Sequence, residues 1–205
     1  MTALVDFYEA IGFKFNPHHD ARGRFAKTGG IGGGEFGIEE AKSWGDNHYA
    51  SWRGNLSSGE ATALMEYRGS EYAHINEYLR TEGGTLSSES DRVGKIDSAF
   101  RKAPVLDRDV AVYRGMSSIE GLKPGMTISD KGYVSTTFHE MAAERFSRSK
   151  KKGIVAEIKV KKGKKALYLD KIEVGEPSWG ELELLLPRGS SFRVLSTSPM
   201  TLVME

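Results

Sequence analysis

The chain changes its hydrophobic rhythm once, near residue 103. From Glu35 to about Lys102 apolar residues recur at spacings of three and four, as in Ala61, Leu64, Met65 and Tyr67 and again in Tyr72, Ile75, Tyr78 and Leu79. That rhythm predicts amphipathic helices. Ser57-Ser58-Gly59-Glu60 supplies an N-cap with an acidic first turn, and a further helix is predicted from about Ser90 to Arg101, stopping before Pro104. Beyond it the pattern becomes short β-type runs between turn residues: Val110 to Arg114, Gly132 to Thr137, Ile154 to Val160, Leu182 to Leu186, Phe192 to Ser196 and Thr201 to Met204. His139 to Phe146 reads as one short helix among them. Helices first and strands afterwards predict an α+β fold, with no internal repeat.

Residues 1–34 follow neither rhythm. An aromatic start (Phe7, Tyr8, Phe13, Phe15) leads to His18-His19-Asp20 and then to Gly29-Gly30-Ile31-Gly32-Gly33-Gly34. So many glycines lose too much conformational freedom on ordering to form a helix or strand, so this segment is expected to be a flexible tail and linker. Residues 35–205 are expected to form one domain. The 205 residues are 39% hydrophobic and 28% charged, enough for one substantial core. A net charge of +1 argues against a dedicated nucleic-acid binder. The absence of cysteine removes disulfides, thiol nucleophiles and thiolate metal sites. Neither an apolar run of membrane-spanning length nor a secretory signal is visible, so no membrane partner and a cytoplasmic location, in the producing or a target cell, are expected.

Chemistry concentrates in the strand-rich half. In Glu181-Leu182-Glu183-Leu184-Leu185-Leu186 a continuous strand would put Glu181, Glu183 and Leu185 on one face and the other three leucines on the opposite one. Two carboxylates would then stand side by side towards a cleft, suited to a developing positive charge; a solvated acidic face on an edge strand has the same pattern. Arg114-Gly115 closes a β run with a planar cationic fork beside backbone that a ligand can approach. Ser135-Thr136-Thr137 carries hydroxyls able to hold a carboxylate. Gly32-x-Gly34-x-x-Gly37 matches a dinucleotide fingerprint formally but follows no strand, and His18, His19 and Asp20 lack a partner cluster, so no metal site is predicted. The basic run from Arg148 to Lys165 reads as solvated turns at the ends of a strand, with phosphate contact as its alternative.

Arg114, then Ser135-Thr136-Thr137, then Glu181-x-Glu183 resembles the arginine, serine, glutamate signature of mono-ADP-ribosyltransferases, in the branch of clostridial binary-toxin enzymes and Rho-modifying exoenzymes. Trp44-Gly45, Tyr49, Trp52 and Tyr67-x-x-x-x-Tyr72-x-x-Ile75-Asn76-x-x-Leu79-Arg80 look like that branch's helical approach to its NAD site. The resemblance spans roughly residues 36–205. It implies helices packed on a strand-rich core with a central NAD cleft, and transfer of ADP-ribose from NAD, as substrate, to an acceptor with release of nicotinamide. It further implies that Glu183 stabilises the oxocarbenium-like ribose through its 2′-hydroxyl, that Ser135 orients Glu183, and that Arg114 pairs with the diphosphate. Asn76 and Arg80 match NAD-contacting positions, Gly115 would bond the nicotinamide amide, and Tyr72 would line the pocket. Glu181, two residues before the catalytic glutamate, implies an arginine acceptor on a target protein, with Trp179 as an acceptor contact or a core residue. Thr137 stands where many members have serine, which keeps the hydroxyl. An NAD glycohydrolase and a noncatalytic virion or interaction module are the competing readings, and a nucleic-acid acceptor is left open. A monomer is expected. Asp20-Ala21-Arg22-Gly23-Arg24-Phe25-Ala26 looks like stretches of phage virion proteins, which raises a phage origin and virion association.

Overall fold

The computed structural model describes residues 37–81, 87–172 and 181–205. The expectations for the tail, for His18, His19 and Asp20, for the glycine run and for Trp179 fall outside those residues. The helical half runs α1 (Ile38–His48), α2 (Ala50–Gly54), α3 (Ser58–Glu66), a π turn (Tyr67–Glu71), α4 (Tyr72–Arg80) and α5 (Ser87–Lys102). Ser57 caps α3 as its sequence suggests: its hydroxyl accepts from the Glu60 amide, and the Glu60 carboxylate accepts from the Ser57 amide in return. The π turn breaks the expected helical continuity, because Gly69 leaves helical geometry at φ −75°, ψ −114°. Helix α5 begins three residues earlier than its periodicity predicts.

The second half contains β1 (Val110–Ser117), β2 (Thr127–Ser129), β3 (Val134–Thr137), α6 (Glu140–Arg148), β4 (Gly153–Val160), β5 (Leu167–Tyr168), β6 (Glu183–Leu186), β7 (Ser191–Thr197) and β8 (Met200–Met204). The strands form an eight-stranded sheet in the order β2-β7-β8-β4-β1-β3-β6-β5. The fold is α+β, as the change of rhythm predicts. β2 and β5 escape the sequence pattern, since runs of three and two residues are too short to show an alternation.

One feature of this order positions the site. β1 pairs with β4 along its whole length, but among the described residues it is in register with β3 only at Tyr113↔Thr137. The sheet therefore divides at one bridge into β2-β7-β8-β4-β1 and β3-β6-β5, and the strands part beyond it. On the core side, Trp44 and Tyr168 flank Phe138 in tilted and edge-on contacts, while Tyr49 and Tyr168 are fully buried. These rings anchor α1 and α2 against the shorter sheet segment.

Candidate active site

The parting strands open a cleft that is continuous with solvent. Its wall includes Tyr72, Asn76 and Arg80 from α4, Arg114 and Gly115 from β1, Ser135 and Thr137 from β3, Phe146 from α6, and Lys150, Glu181 and Glu183. Every cleft residue expected from the sequence among those described is present. Cations come from α4, β1 and the α6–β4 turn, and the carboxylates from the start of β6 on the far side of β3.

The carboxylate pair is built differently from the expected continuous strand. Leu182 has φ +46°, in the left-handed region that side chains other than glycine rarely adopt, and β6 begins only at Glu183. Glu181 therefore lies outside the strand. It reaches the cleft through this turn rather than through alternation, and its carbonyl accepts a hydrogen bond from the Thr137 hydroxyl. Nor is β6 an edge strand. It pairs with β3 at Thr137↔Glu183 through Val134↔Leu186 and with β5 on its other side, and Leu184, Leu185 and Leu186 are all buried, so both faces of the strand are covered. Glu183 is 5% exposed, and its Oε2 has no hydrogen-bond partner. A buried carboxylate oxygen left open beside a cleft is costly for the fold alone and is matched to a hydroxyl or cation arriving from outside.

Ser135 does not orient Glu183 in this structure. Its hydroxyl lies 3.4 Å from that of Tyr67, which also accepts from Asn76 Nδ2 at 3.0 Å. Burial, opposed by the hydrogen bonds with Ser135 and Asn76 and reinforced by the charge of Glu183, pushes the Tyr67 phenol up to about 12, so it stays protonated. Asn76 spends its Oδ1 on the Tyr133 amide at 2.8 Å. Arg80 grips Asp130 through Nε at 2.9 Å and Nη2 at 2.7 Å, a bidentate pair whose members are 8% and 2% exposed at the side chain. Asn76 and Arg80 thus border the cleft while their described bonds brace its frame.

Arg114 crosses the opening to donate from Nη1 to the Ser135 carbonyl at 2.6 Å. Burial lowers the pKa of its guanidinium, with Asp130 acting in the opposite sense. At Gly115 a Cβ would lie 2.2 Å from the Ala143 carbonyl oxygen, so only glycine lets α6 sit against β1 and form that wall. Lys150 stands in the same wall, and burial followed by repulsion from Arg114 and Arg80 lowers its pKa.

Several contributors were not legible in the sequence. Lys150 is hidden inside the basic run, most of which is indeed solvated: Lys161 pairs with Asp109 at 2.7 Å and Lys152 with Glu120 at 2.6 Å. Arg68 was an unassigned position between Tyr67 and Tyr72, yet it is buried with its Nε 3.8 Å from Glu183 Oε2. Asp130 and Phe146 had no motif to mark them. Among the described residues no cluster of three or more His, Asp or Glu is arranged to hold a metal. No described helix is long and apolar enough to cross a membrane.

The chain belongs to the ADP-ribosyltransferase exoenzyme family, whose model matches residues 41–203. It is 29% identical over 185 residues to the mono-ADP-ribosyltransferase C3 of Hathewaya limosa, covering 77% of this chain and 70% of that protein. Its fold superposes on the Clostridium limosum C3 exoenzyme with a TM-score of 0.68 at 25% identity, over 85% of this chain and 98% of that one. The C3stau2 structure from S. aureus, solved with NAD, matches with a TM-score of 0.64 at 26% identity over 82% and 96% of the two chains. NAD is the substrate of this family, and the cleft fits it: cationic groups stand on one side, and on the other is a buried carboxylate with an open oxygen.

Proposed function

We propose that this protein transfers ADP-ribose from NAD to an arginine side chain of a target protein, releasing nicotinamide. The observation that carries the reading is the carboxylate pair: Glu183 buried with an unpartnered oxygen, and Glu181 half-buried in the same cleft but off the strand. Cleavage of the nicotinamide–ribose bond builds positive charge on the ribose, and a fixed buried carboxylate stabilises that charge without reorganising. Glu183 has this role. Arg114 and Lys150 face the region a diphosphate would occupy, with Arg114 supplying the fork that matches phosphate oxygens. Tyr72 and Phe146 give the wall its apolar surface.

Glu181 has the separate task of meeting the acceptor. A carboxylate pairs with a guanidinium in bidentate fashion, holds its nitrogen in line and assists loss of a proton. The left-handed turn at Leu182 separates the two tasks, since the carboxylates enter the cleft from different backbone settings.

The test is Glu181→Gln assayed twice on one preparation, for nicotinamide release and for label transferred from NAD to arginine-bearing protein. Transfer should fall by about 100-fold or more while slow hydrolysis of NAD persists within a few fold. If both fall together, Glu181 belongs to bond cleavage. If hydrolysis is the main activity of the unaltered protein, the chain is an NAD glycohydrolase.

A further inference from the structure

Arg68 has no part in the reading above, yet it is the cation nearest the buried carboxylate. It lies at the kink between α3 and α4, one residue before the non-helical Gly69, and both Tyr67 and Arg68 are buried there. Its guanidinium donates from Nη1 to the carbonyl of Ile172, just after β5. Its Nε lies 3.8 Å from Glu183 Oε2, and the two side chains are 5% and 7% exposed.

That distance is within Coulomb reach but beyond a hydrogen bond. Arg68 therefore supplies countercharge to Glu183 while leaving the oxygen open, as the absence of any hydrogen bond at Oε2 shows. Arg114 from β1 and the Tyr67 phenol, which is neutral below about 12, also act with Glu183, and Glu181 lines the same cleft. A hydrogen-bonded pair would fix the carboxylate equally well but would occupy the atom that the substrate needs. A carboxylate with no cation beside it would resist burial in the charged form.

We propose that Arg68 is a positioning residue for the transfer reaction: an internal counterion that holds Glu183 in its buried place with Oε2 unoccupied, and is itself tied through the Ile172 carbonyl to the segment that follows β5. The inference rests on the assignment of bond cleavage to Glu183.

The experiment uses the full chain carrying Arg68→Gln, Arg68→Lys, Glu183→Gln or the double change R68Q/E183Q, with nicotinamide release and thermal melting measured for each. Arg68→Gln should lower kcat at least about tenfold while leaving KM for NAD within about threefold, and Arg68→Lys should recover a substantial part of kcat because the charge returns. A role confined to holding Ile172 would lower the melting temperature without this split. The double variant should melt closer to the unaltered protein than Arg68→Gln does, because the second change removes the buried charge that lost its adjacent counterion. That comparison holds even if Arg68→Gln is poorly folded. An Arg68→Gln kcat within twofold of the unaltered protein, no recovery by lysine, or a double variant that melts lower than either single one overturns the inference. Normal cleavage by Glu183→Gln would instead overturn the reading on which it depends.

Discussion

Two buried polar clusters border the same cleft, and they are satisfied to opposite degrees. On the α4 side, Asp130 accepts two bonds from Arg80 and one from the Gly132 amide at 2.8 Å, while Asn76 bonds both Tyr133 and Tyr67. On the β6 side, Glu183 faces Arg68 at 3.8 Å with Oε2 unbonded. Burial is similar in the two places. What differs is how far the fold itself uses the polar atoms: on the α4 side they are bonded to one another as a frame, whereas an open buried carboxylate holds its capacity in reserve.

The contrast predicts opposite phenotypes, and the largest belongs to the closed cluster. Asp130→Ala would strand the buried Arg80 guanidinium and should cost about 3–5 kcal/mol of folding stability. Denaturant unfolding measures this, with the midpoint shifting at constant m-value. A loss below about 1 kcal/mol would mean the α4 cluster is no frame at all.

On the open side the loss should appear in rate instead. Glu183→Gln keeps the shape and removes the charge, so nicotinamide release and transfer should both fall by about 100-fold or more. The melting temperature should fall less than in Asp130→Ala, since Arg68 holds no hydrogen bond to Glu183 and keeps its bond to the Ile172 carbonyl. Activity within a few fold of the unaltered protein would erase the contrast.

Tyr67 stands between the clusters and should show the smallest and most mixed effect. Tyr67→Phe removes the hydroxyl that meets Asn76 Nδ2 and Ser135 Oγ, leaving the amide unsatisfied at a cost of about 1–2 kcal/mol. Its kcat should change by only a few fold. A loss of rate as deep as that of Glu183→Gln would place the phenol in the chemistry and sharpen the boundary differently.

Arg114, Ser135 and Glu183 are far apart in the chain, but each belongs to a short β run that the sequence displays, and the tertiary structure brings the three runs to adjacent strands. Their order along the chain was sufficient to find the cleft. It was not sufficient to say what each atom does, as Ser135 shows by turning to Tyr67 and Arg80 by turning to Asp130. Those partners sit 68 and 50 residues away, and no local spacing encodes them.

The sequence by itself determined the class of elements, the helix cap at Ser57, the strands that carry the signature and the presence of two carboxylates one residue apart. These depend on local periodicity and on backbone preferences of neighbouring residues, which are written in consecutive letters. The tertiary structure alone decided that β1 and β3 part beyond one bridge, that Leu182 turns Glu181 off the strand, and that Arg68, at the kink before Gly69, lies beside Glu183. Each of these follows from competition among distant groups for the same buried space, where hydrogen bonds and charges must be satisfied jointly, and no single segment contains the terms of that competition.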